Sequence, residues 1–187
     1  MERCERLVLI GSTGRNSGKT FLAERMIGRL AGSPVTALKV TGIEKRDGPC
    51  PRGGQGCGAC SISGDFCLDE ELTADGTKDT SRLLAAGAKR VFWLRCLRSA
   101  LDRGFAAFLE AAEKTGPIIC ESNSLREAVC PAFFIMLCDS DGKGIKPSAK
   151  KVAGKADFIL QSPISAEDIE DLLKALSKRG FAFTKSR

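Results

Sequence analysis

The sequence contains no histidine and no tyrosine among its 187 residues. The absence of histidine excludes a Ser-His-Asp triad, a histidine general base and any histidine metal ligand. Any chemistry must therefore come from lysine, carboxylates, cysteine, backbone N–H groups or a bound ion.

The sequence also lacks a long apolar run. No stretch approaches the ~20 residues that a membrane-spanning helix needs, and residues 1–6 lead into a short strand-like segment without the apolar core of a signal peptide. We therefore expect a cytoplasmic protein that contacts no membrane. The length of 187 residues predicts a single α/β domain over residues 1–187, with a sizeable core.

The net charge of +6 is modest and unevenly distributed. Acidic residues dominate the interval 65–79, and five lysines without an acid occupy the interval 143–155. Two solvated faces are the favoured interpretation, and a phosphate-attracting or partner-docking patch is the alternative. Nucleic-acid binding is not expected, because no aromatic residues interleave with the lysines.

Strand and helix patterns alternate along the chain, which predicts a three-layer, doubly wound, mostly parallel sheet. Short apolar runs predict the strands, apolar residues at helical spacing predict the helices, and residues 181–183 suggest an edge strand. The predicted strands are 7–10, 35–40, 91–94, 117–120, 132–137 and 157–160, and the predicted helices are 21–30, 80–86, 101–114 and 165–180.

Residues 43–76 interrupt this alternation with a segment rich in glycine, cysteine and charge. It is too long for an idle loop in a compact domain, so we expect an ordered insertion or a lid. Four of the nine cysteines lie in this segment. Four thiolates can hold Zn²⁺ or an Fe–S cluster, and redox-active or incidental cysteines are the alternatives. The candidate metal ligands are Cys50, Cys57, Cys60 and Cys67.

The other five cysteines mostly fall in or beside apolar strands. Such positions favour buried structural thiols rather than reactive ones. These residues are Cys4, Cys96, Cys120, Cys130 and Cys138.

The strongest motif follows the first strand and precedes the first helix: Gly14-Arg15-Asn16-Ser17-Gly18-Lys19-Thr20. A glycine-rich turn at a helix N-terminus presents several backbone N–H groups to one anion. Lys19 would reach the β- and γ-phosphates of a nucleotide, and the Thr20 hydroxyl would ligate Mg²⁺. Thr13 occupies the first glycine position of the usual pattern, and a turn that binds nothing is the alternative.

The loop resembles that of the SIMIBI class of P-loop NTPases, in which the first glycine is often replaced. Residues 74–88, Ala-Asp-Gly-Thr-Lys-Asp-Thr-Ser-Arg-Leu-Leu-Ala-Ala-Gly-Ala, are similar to the Asp…Gly-Lys-Asp-Ser…Ala-Gly-Ala stretch of the MobB family. MobB proteins are the B proteins of molybdopterin-guanine dinucleotide biosynthesis. The resemblance covers residues 6–41 and 74–122, and it implies a nucleotide site with an acidic residue at Glu121.

The chain departs from that family after the second strand. The family typically carries Lys-His-x-His-His there, whereas Lys39 is followed by Val40-Thr41-Gly42. The resemblance therefore concerns the nucleotide site rather than the substrate that the site serves.

Phosphoryl chemistry needs Mg²⁺ and a carboxylate that holds the ion or its waters. Asp75, Asp79 and Glu121 are the candidates, and we expect Lys19, Asp79 and Glu121 to be catalytic. A doubly wound sheet would bring Asp79 and Glu121 toward the phosphate loop. The alternative for each is a helix cap or a first-turn acid.

The expected function is Mg²⁺-dependent binding or hydrolysis of GTP or ATP, in an accessory protein of molybdenum-cofactor or metallocentre assembly. Two rivals remain: a small-molecule kinase, and a non-enzymatic metal or Fe–S carrier switched by nucleotide. The expected partners are the nucleotide and a metalloenzyme or cofactor-assembly protein, and a homodimer is left open.

Overall fold

The structure is a computed structural model, and it describes residues 1–14, 17–30, 34–44, 62–139 and 145–183. Seven strands and five helices lie in these ranges, joined by short 3₁₀ turns. The strands are β1 (Glu2–Ser12), β2 (Thr36–Ile43), β3 (Phe66–Glu71), β4 (Arg90–Leu97), β5 (Ile118–Glu121), β6 (Val129–Asp139) and β7 (Phe158–Ser162). The helices are α1 (Lys19–Ile27), α2 (Asp79–Ala85), α3 (Leu101–Ala111), α4 (Pro147–Lys150) and α5 (Ala166–Ser177).

All seven strands form one sheet, in the order β3-β4-β2-β5-β1-β6-β7. Every neighbouring pair is parallel except β3 and β4, which are antiparallel. The α/β class and the mostly parallel sheet are thus confirmed. Because parallel strands carry their carboxyl ends to the same edge, the loops after β1, β2 and β5 meet there.

Helices flank the sheet, and two hydrophobic clusters fill the space between. Alternate residues of β1 divide between them, since Leu7 and Leu9 belong to one cluster and Val8 and Ile10 to the other. Apolar side chains of α1, α2 and α5 complete the cluster around Val8, and those of α3 complete the other. Burial on both faces explains why the central strands read as continuous apolar runs.

The last helix begins at a capping box. The Ser165 hydroxyl accepts a hydrogen bond from the Asp168 backbone N–H at 3.1 Å, and the Asp168 carboxylate accepts from the Ser165 backbone N–H at 2.9 Å. Two N–H groups that would otherwise lack partners at the helix start are satisfied in this way.

The segment 43–76 contains a strand that the sequence analysis did not predict. In β3, Phe66 and Leu68 pack against the core, while the opposite side carries Cys67 and Asp69. This one-sided burial is the period-2 alternation of an edge strand, and the surrounding glycines and charges obscured it. Residues 181–183 do not form the suggested edge strand. Within the described residues they make only an isolated bridge between Leu30 and Phe183.

No helix among the described residues is long and apolar enough to cross a membrane.

Candidate functional site

The predicted phosphate loop lies between the end of β1 and the start of α1. β1 ends at Ser12, and α1 begins at Lys19 directly after Gly18. Gly18 has φ +87°, a left-handed conformation that side chains rarely adopt, so the turn into the helix requires glycine at this position. Arg15 and Asn16 lie outside the described residues.

Side chains and backbone from two neighbouring strands hold the entry to this loop. The Ser12 backbone N–H donates to the Asn123 side-chain oxygen at 2.7 Å, and the Asn123 amide nitrogen donates to the Ser12 carbonyl at 2.9 Å. On the other side, the Thr13 N–H donates to the Leu137 carbonyl at 2.9 Å. The entry is therefore fixed between β5 and β6.

Contacts within the loop centre on Gly14. The Gly14 carbonyl accepts hydrogen bonds from the Ser12 hydroxyl at 2.9 Å and from the Lys146 ammonium. A Cβ atom on Gly14 would lie 2.4 Å from a carboxylate oxygen of Asp139, so a larger residue would displace the Asp139 side chain. The Lys19 Nζ donates to the Ser12 hydroxyl at 2.8 Å, which keeps this ammonium over the loop.

Glu121 is an acidic residue that contacts the loop helix. It ends β5, lies in register with Ile10 of β1, and is only 5% exposed. The Thr20 hydroxyl donates to its Oε2 at 3.2 Å, whereas its Oε1 is buried without a hydrogen-bond partner among the described residues. A buried carboxylate oxygen without a partner is costly, and a bound cation or water would satisfy it.

An ion pair lies beside Glu121. Lys39 of β2 is in register with Glu121, and its Nζ forms an ion pair with the carboxylate of Asp79, at the start of α2. The positive charges of Lys19 and Lys39 both act to lower the pKa of Glu121, and the charge of Lys19 also acts to lower the pKa of Asp79. The four residues form the charge cluster of the site, with two ammonium and two carboxylate groups.

The two carboxylates of this cluster respond differently to it. Burial raises the pKa of Glu121 above its ordinary value, although the charges of Lys19 and Lys39 oppose that change. Burial acts to raise the pKa of Asp79 as well, but the hydrogen bond and charge of Lys39 outweigh it, so this pKa lies below its ordinary value. Lys39 thus stabilises the charged form of Asp79, whereas burial disfavours the charged form of Glu121.

The arrangement of oxygen atoms fits a Mg²⁺ ion. Magnesium prefers oxygen ligands, and the Thr20 hydroxyl and the Glu121 carboxylate supply them side by side. The unpartnered Oε1 of Glu121 is the observation that favours this fit. No group of three or more histidine, cysteine or acidic side chains that could hold a metal occurs within the described ranges. Mg²⁺ would therefore rely on ligand oxygens and water as well.

The remaining predicted acid has a local role. The Asp75 carboxylate accepts hydrogen bonds from the backbone N–H and the hydroxyl of Thr77, at 2.9 and 2.8 Å. Asp75 is exposed, and these bonds shape the turn that precedes α2. Glu71 orients the same region, because its Oε2 accepts from the Thr80 hydroxyl at 2.7 Å.

Of the four cysteines proposed to bind metal, only Cys67 lies in the described residues. Its Sγ lies 3.5 Å from a carboxylate oxygen of Asp69 and 3.3 Å from a guanidinium nitrogen of Arg95. Cys50, Cys57 and Cys60 lie outside the described residues, so their convergence on Cys67 stays a prediction.

The other cysteines are buried to different degrees. Cys96 and Cys120 are fully buried, as predicted, and burial raises the pKa of the Cys96 thiol to about 11. Burial also raises the pKa of Cys120 well above its ordinary value. Cys4, Cys130 and Cys138 are only half-buried, so the prediction of full burial does not extend to them.

Sequence reasoning named Lys19, Thr20, Asp79 and Glu121, which the structure brings together, but it assigned no role to some of the residues that contact them. Lys39 carries a detectable signal, because it is the one charged residue in the apolar strand 35–40. Asn123 carries no local signal, since its partner Ser12 is more than a hundred positions away.

Comparisons of the chain with protein-family models, with curated proteins and with solved structures found no match. The site is therefore interpreted from its own geometry.

Proposed function

We propose that this chain is a doubly wound P-loop NTPase that binds GTP or ATP with Mg²⁺ at the loop between β1 and α1 and hydrolyses it slowly. The observation that carries the proposal is the contact of Thr20 with Glu121, whose second carboxylate oxygen is buried and unpartnered. The Lys19 ammonium lies on the same loop, at the N-terminus of a nine-residue helix. A cation, a hydroxyl and a carboxylate at a helix N-terminus are what a Mg²⁺–nucleotide complex requires.

Each residue has a distinct task in the proposed reaction. The backbone N–H groups of the loop and the Lys19 ammonium bind the phosphates, and Thr20 and Glu121 would hold Mg²⁺. When bound, the ion neutralises charge that develops on the phosphate oxygens. Because the chain contains no histidine, Glu121 is the buried group available to orient an attacking water, which is consistent with slow turnover.

The wider role that we propose is that of a MobB-like accessory in molybdenum-cofactor or metallocentre assembly. It rests on the resemblance of residues 6–41 and 74–122 to that family. The four-cysteine segment would carry Zn²⁺ or an Fe–S cluster toward a client protein. A small-molecule kinase and a nucleotide-switched metal carrier use the same loop, and phosphorylation of an added acceptor or metal release without turnover would identify them.

Nucleotide binding by Lys19→Ala tests the central part of the proposal. The substitution removes the ammonium that faces the phosphates, so affinity for Mg²⁺–GTP or Mg²⁺–ATP should fall by about 100-fold in calorimetry. Lys174→Ala is the matched control, because Lys174 is an exposed lysine of α5 whose partner is the neighbouring Asp171. The control should bind like the wild type.

Two results would contradict the assignment. Wild-type protein that binds neither nucleotide would refute the phosphate site altogether. Equal affinity of Lys19→Ala and wild type would show that the nucleotide binds elsewhere. Titration of both nucleotides also decides between guanine and adenine.

A further inference from the structure

Lys39 is a charged residue in an unfavourable place. It lies within β2, a strand paired on both sides, and its side chain is 19% exposed. A largely buried lysine loses hydration and side-chain freedom, so such positions are usually apolar. The neighbouring residues Leu38 and Val40 both belong to the core. Strand formation therefore does not require a lysine here.

The Asp79 ion pair does not by itself account for Lys39. The Asp79 carboxylate is 42% exposed and begins α2, where the helix N-terminus already favours an acid. An ion pair at this exposure contributes little to stability. A lysine ammonium also has three N–H donors, and Asp79 is the partner of one of them.

The contacts of Lys39 connect it to the proposed phosphate site. In register it faces Glu121, which contacts Thr20 of the loop helix, and its charge acts on Glu121 together with that of Lys19. The charges of Lys19, at the start of α1, and of Lys39, on β2, thus both act on the carboxylate at the end of β5. A terminal phosphate bound beyond Thr20 would therefore lie in the field of both positive charges.

We propose that Lys39 is a catalytic residue that binds the transferred phosphoryl group, with Asp79 as the positioning residue that aims it. This inference rests on the nucleotide site proposed above. Lys19 is committed to the ground-state phosphates, whereas Lys39 meets the charge that grows as the terminal phosphoryl group leaves. Before the nucleotide binds, the ion pair with Asp79 holds the Lys39 ammonium in place.

The reaction that Lys39 serves is phosphoryl transfer to water. The water oxygen bonds to the γ-phosphorus, and the bond from that phosphorus to the bridging oxygen breaks. The electron pair of the broken bond remains on the nucleoside diphosphate, and the water protons leave with the inorganic phosphate as dihydrogen phosphate. Lys39 donates to a γ-phosphoryl oxygen most strongly in the transition state, and it gives up no proton.

The test compares two ligands in the full chain: Mg²⁺–nucleoside diphosphate alone, and the same ligand with aluminium fluoride, which mimics the planar phosphoryl group. For Lys39→Met, we expect affinity for the diphosphate to stay within about 3-fold of wild type. Binding of the aluminium fluoride complex should weaken by roughly 100-fold, because the group that meets the planar phosphoryl mimic is missing. Lys39→Arg retains the charge and should recover part of this loss.

Two further variants make the result decisive. Lys89→Met is the matched control, because Lys89 forms an ion pair with Glu113 at 3.3 Å away from the charge cluster, and it should bind both ligands like wild type. Lys39→Gln keeps a donor for Asp79 while removing the charge, and it replaces Lys39→Met if that variant does not fold.

The outcomes separate this inference from the proposed function. Wild-type protein that binds no nucleotide overturns both. Wild type that binds both ligands, with a Lys39 variant that binds the fluoride complex equally well, overturns the role of Lys39 alone. Equal loss of both ligands in that variant would reduce Lys39 to a ground-state contact and would also overturn it.

Discussion

Two regions of the sheet carry clusters of charge, and they differ in how that charge is satisfied. At the edge strand β3, Arg90 pairs with Glu70 and Arg95 pairs with Asp69 across to β4, and all four side chains retain contact with solvent. At the phosphate loop, Glu121 is buried with one oxygen unpartnered.

The difference separates a structural use of charge from a functional one. On β3, charged side chains make an open strand edge unattractive for pairing with another chain, and Asp69 and Glu70 each pair with an arginine of β4. At the loop, a buried acid whose charge is only partly balanced lowers the stability of the fold. Such a residue is retained where a bound ligand offsets that cost. The following predictions test that division, from the largest expected effect to the smallest.

The first prediction concerns turnover at the loop. Glu121→Gln keeps the shape of the side chain but removes the charge that would hold Mg²⁺ and orient water, so single-turnover hydrolysis should slow by about 100-fold. Glu110→Gln, an exposed acid of α3, is the control and should hydrolyse normally. Undiminished hydrolysis by the Glu121 variant would show that Glu121 has a structural role, like the charged pairs between β3 and β4.

The second prediction tests whether the β3 region has a function after all. If Cys50, Cys57, Cys60 and Cys67 form one site, elemental analysis of an anaerobic preparation should find about one Zn²⁺ or one Fe–S cluster per chain. The double variant Cys57→Ser, Cys60→Ser should lose it and retain its affinity for nucleotide. Cys130→Ser, a half-buried cysteine of β6, should keep the metal. Metal-free wild type with all four thiols open to alkylation would refute the site.

The third prediction uses the raised pKa of Glu121. Because this pKa is higher in the folded chain than its ordinary value, the folded state holds the proton more tightly, and ionisation destabilises the fold as the pH rises through that interval. Glu121→Gln has no proton to lose. Its melting temperature should exceed that of wild type by roughly 2–4 °C above the folded pKa, and the difference should vanish below the ordinary pKa of glutamate.

Thermal unfolding of both proteins across this pH range measures the effect. A variant that is less stable than wild type at neutral pH would show that the charged form of Glu121 supports the fold.

The smallest effect is expected at the β3 edge. Asp69→Asn removes the charge that pairs with Arg95 at 2.8 Å, but Asp69 is well exposed, so the loss of unfolding free energy in urea should stay below about 1 kcal/mol. Asp171→Asn, which breaks an exposed pair within α5, should have a similarly small effect. A loss of several kcal/mol would mean that the edge pairs are structural in a stronger sense than their exposure indicates.

Sequence reasoning succeeded where the relevant pattern was local. Buried central strands such as β5 and β6 are apolar on both faces, so their runs were visible, and the glycines around Lys19 marked the loop. It failed at β3, where Phe66 and Leu68 alternate with Cys67 and charged residues on an edge exposed on one side. It also could not predict side-chain contacts such as that of Ser12 with Asn123, because these depend on how distant strands come together.

That contact has a consequence for the kinetics of the loop. The amide group of Asn123 donates to and accepts from the backbone of Ser12, as a peptide group of a neighbouring strand would. Pairing of β1 with β5 ends at Ile10, and Asn123 continues the hydrogen bonding on that side to Ser12, the last residue of β1. The Ser12 amide hydrogen should therefore exchange slowly with solvent even without ligand. The loop entrance is thus ordered before an anion binds, so this part of the chain adds little ordering cost to binding.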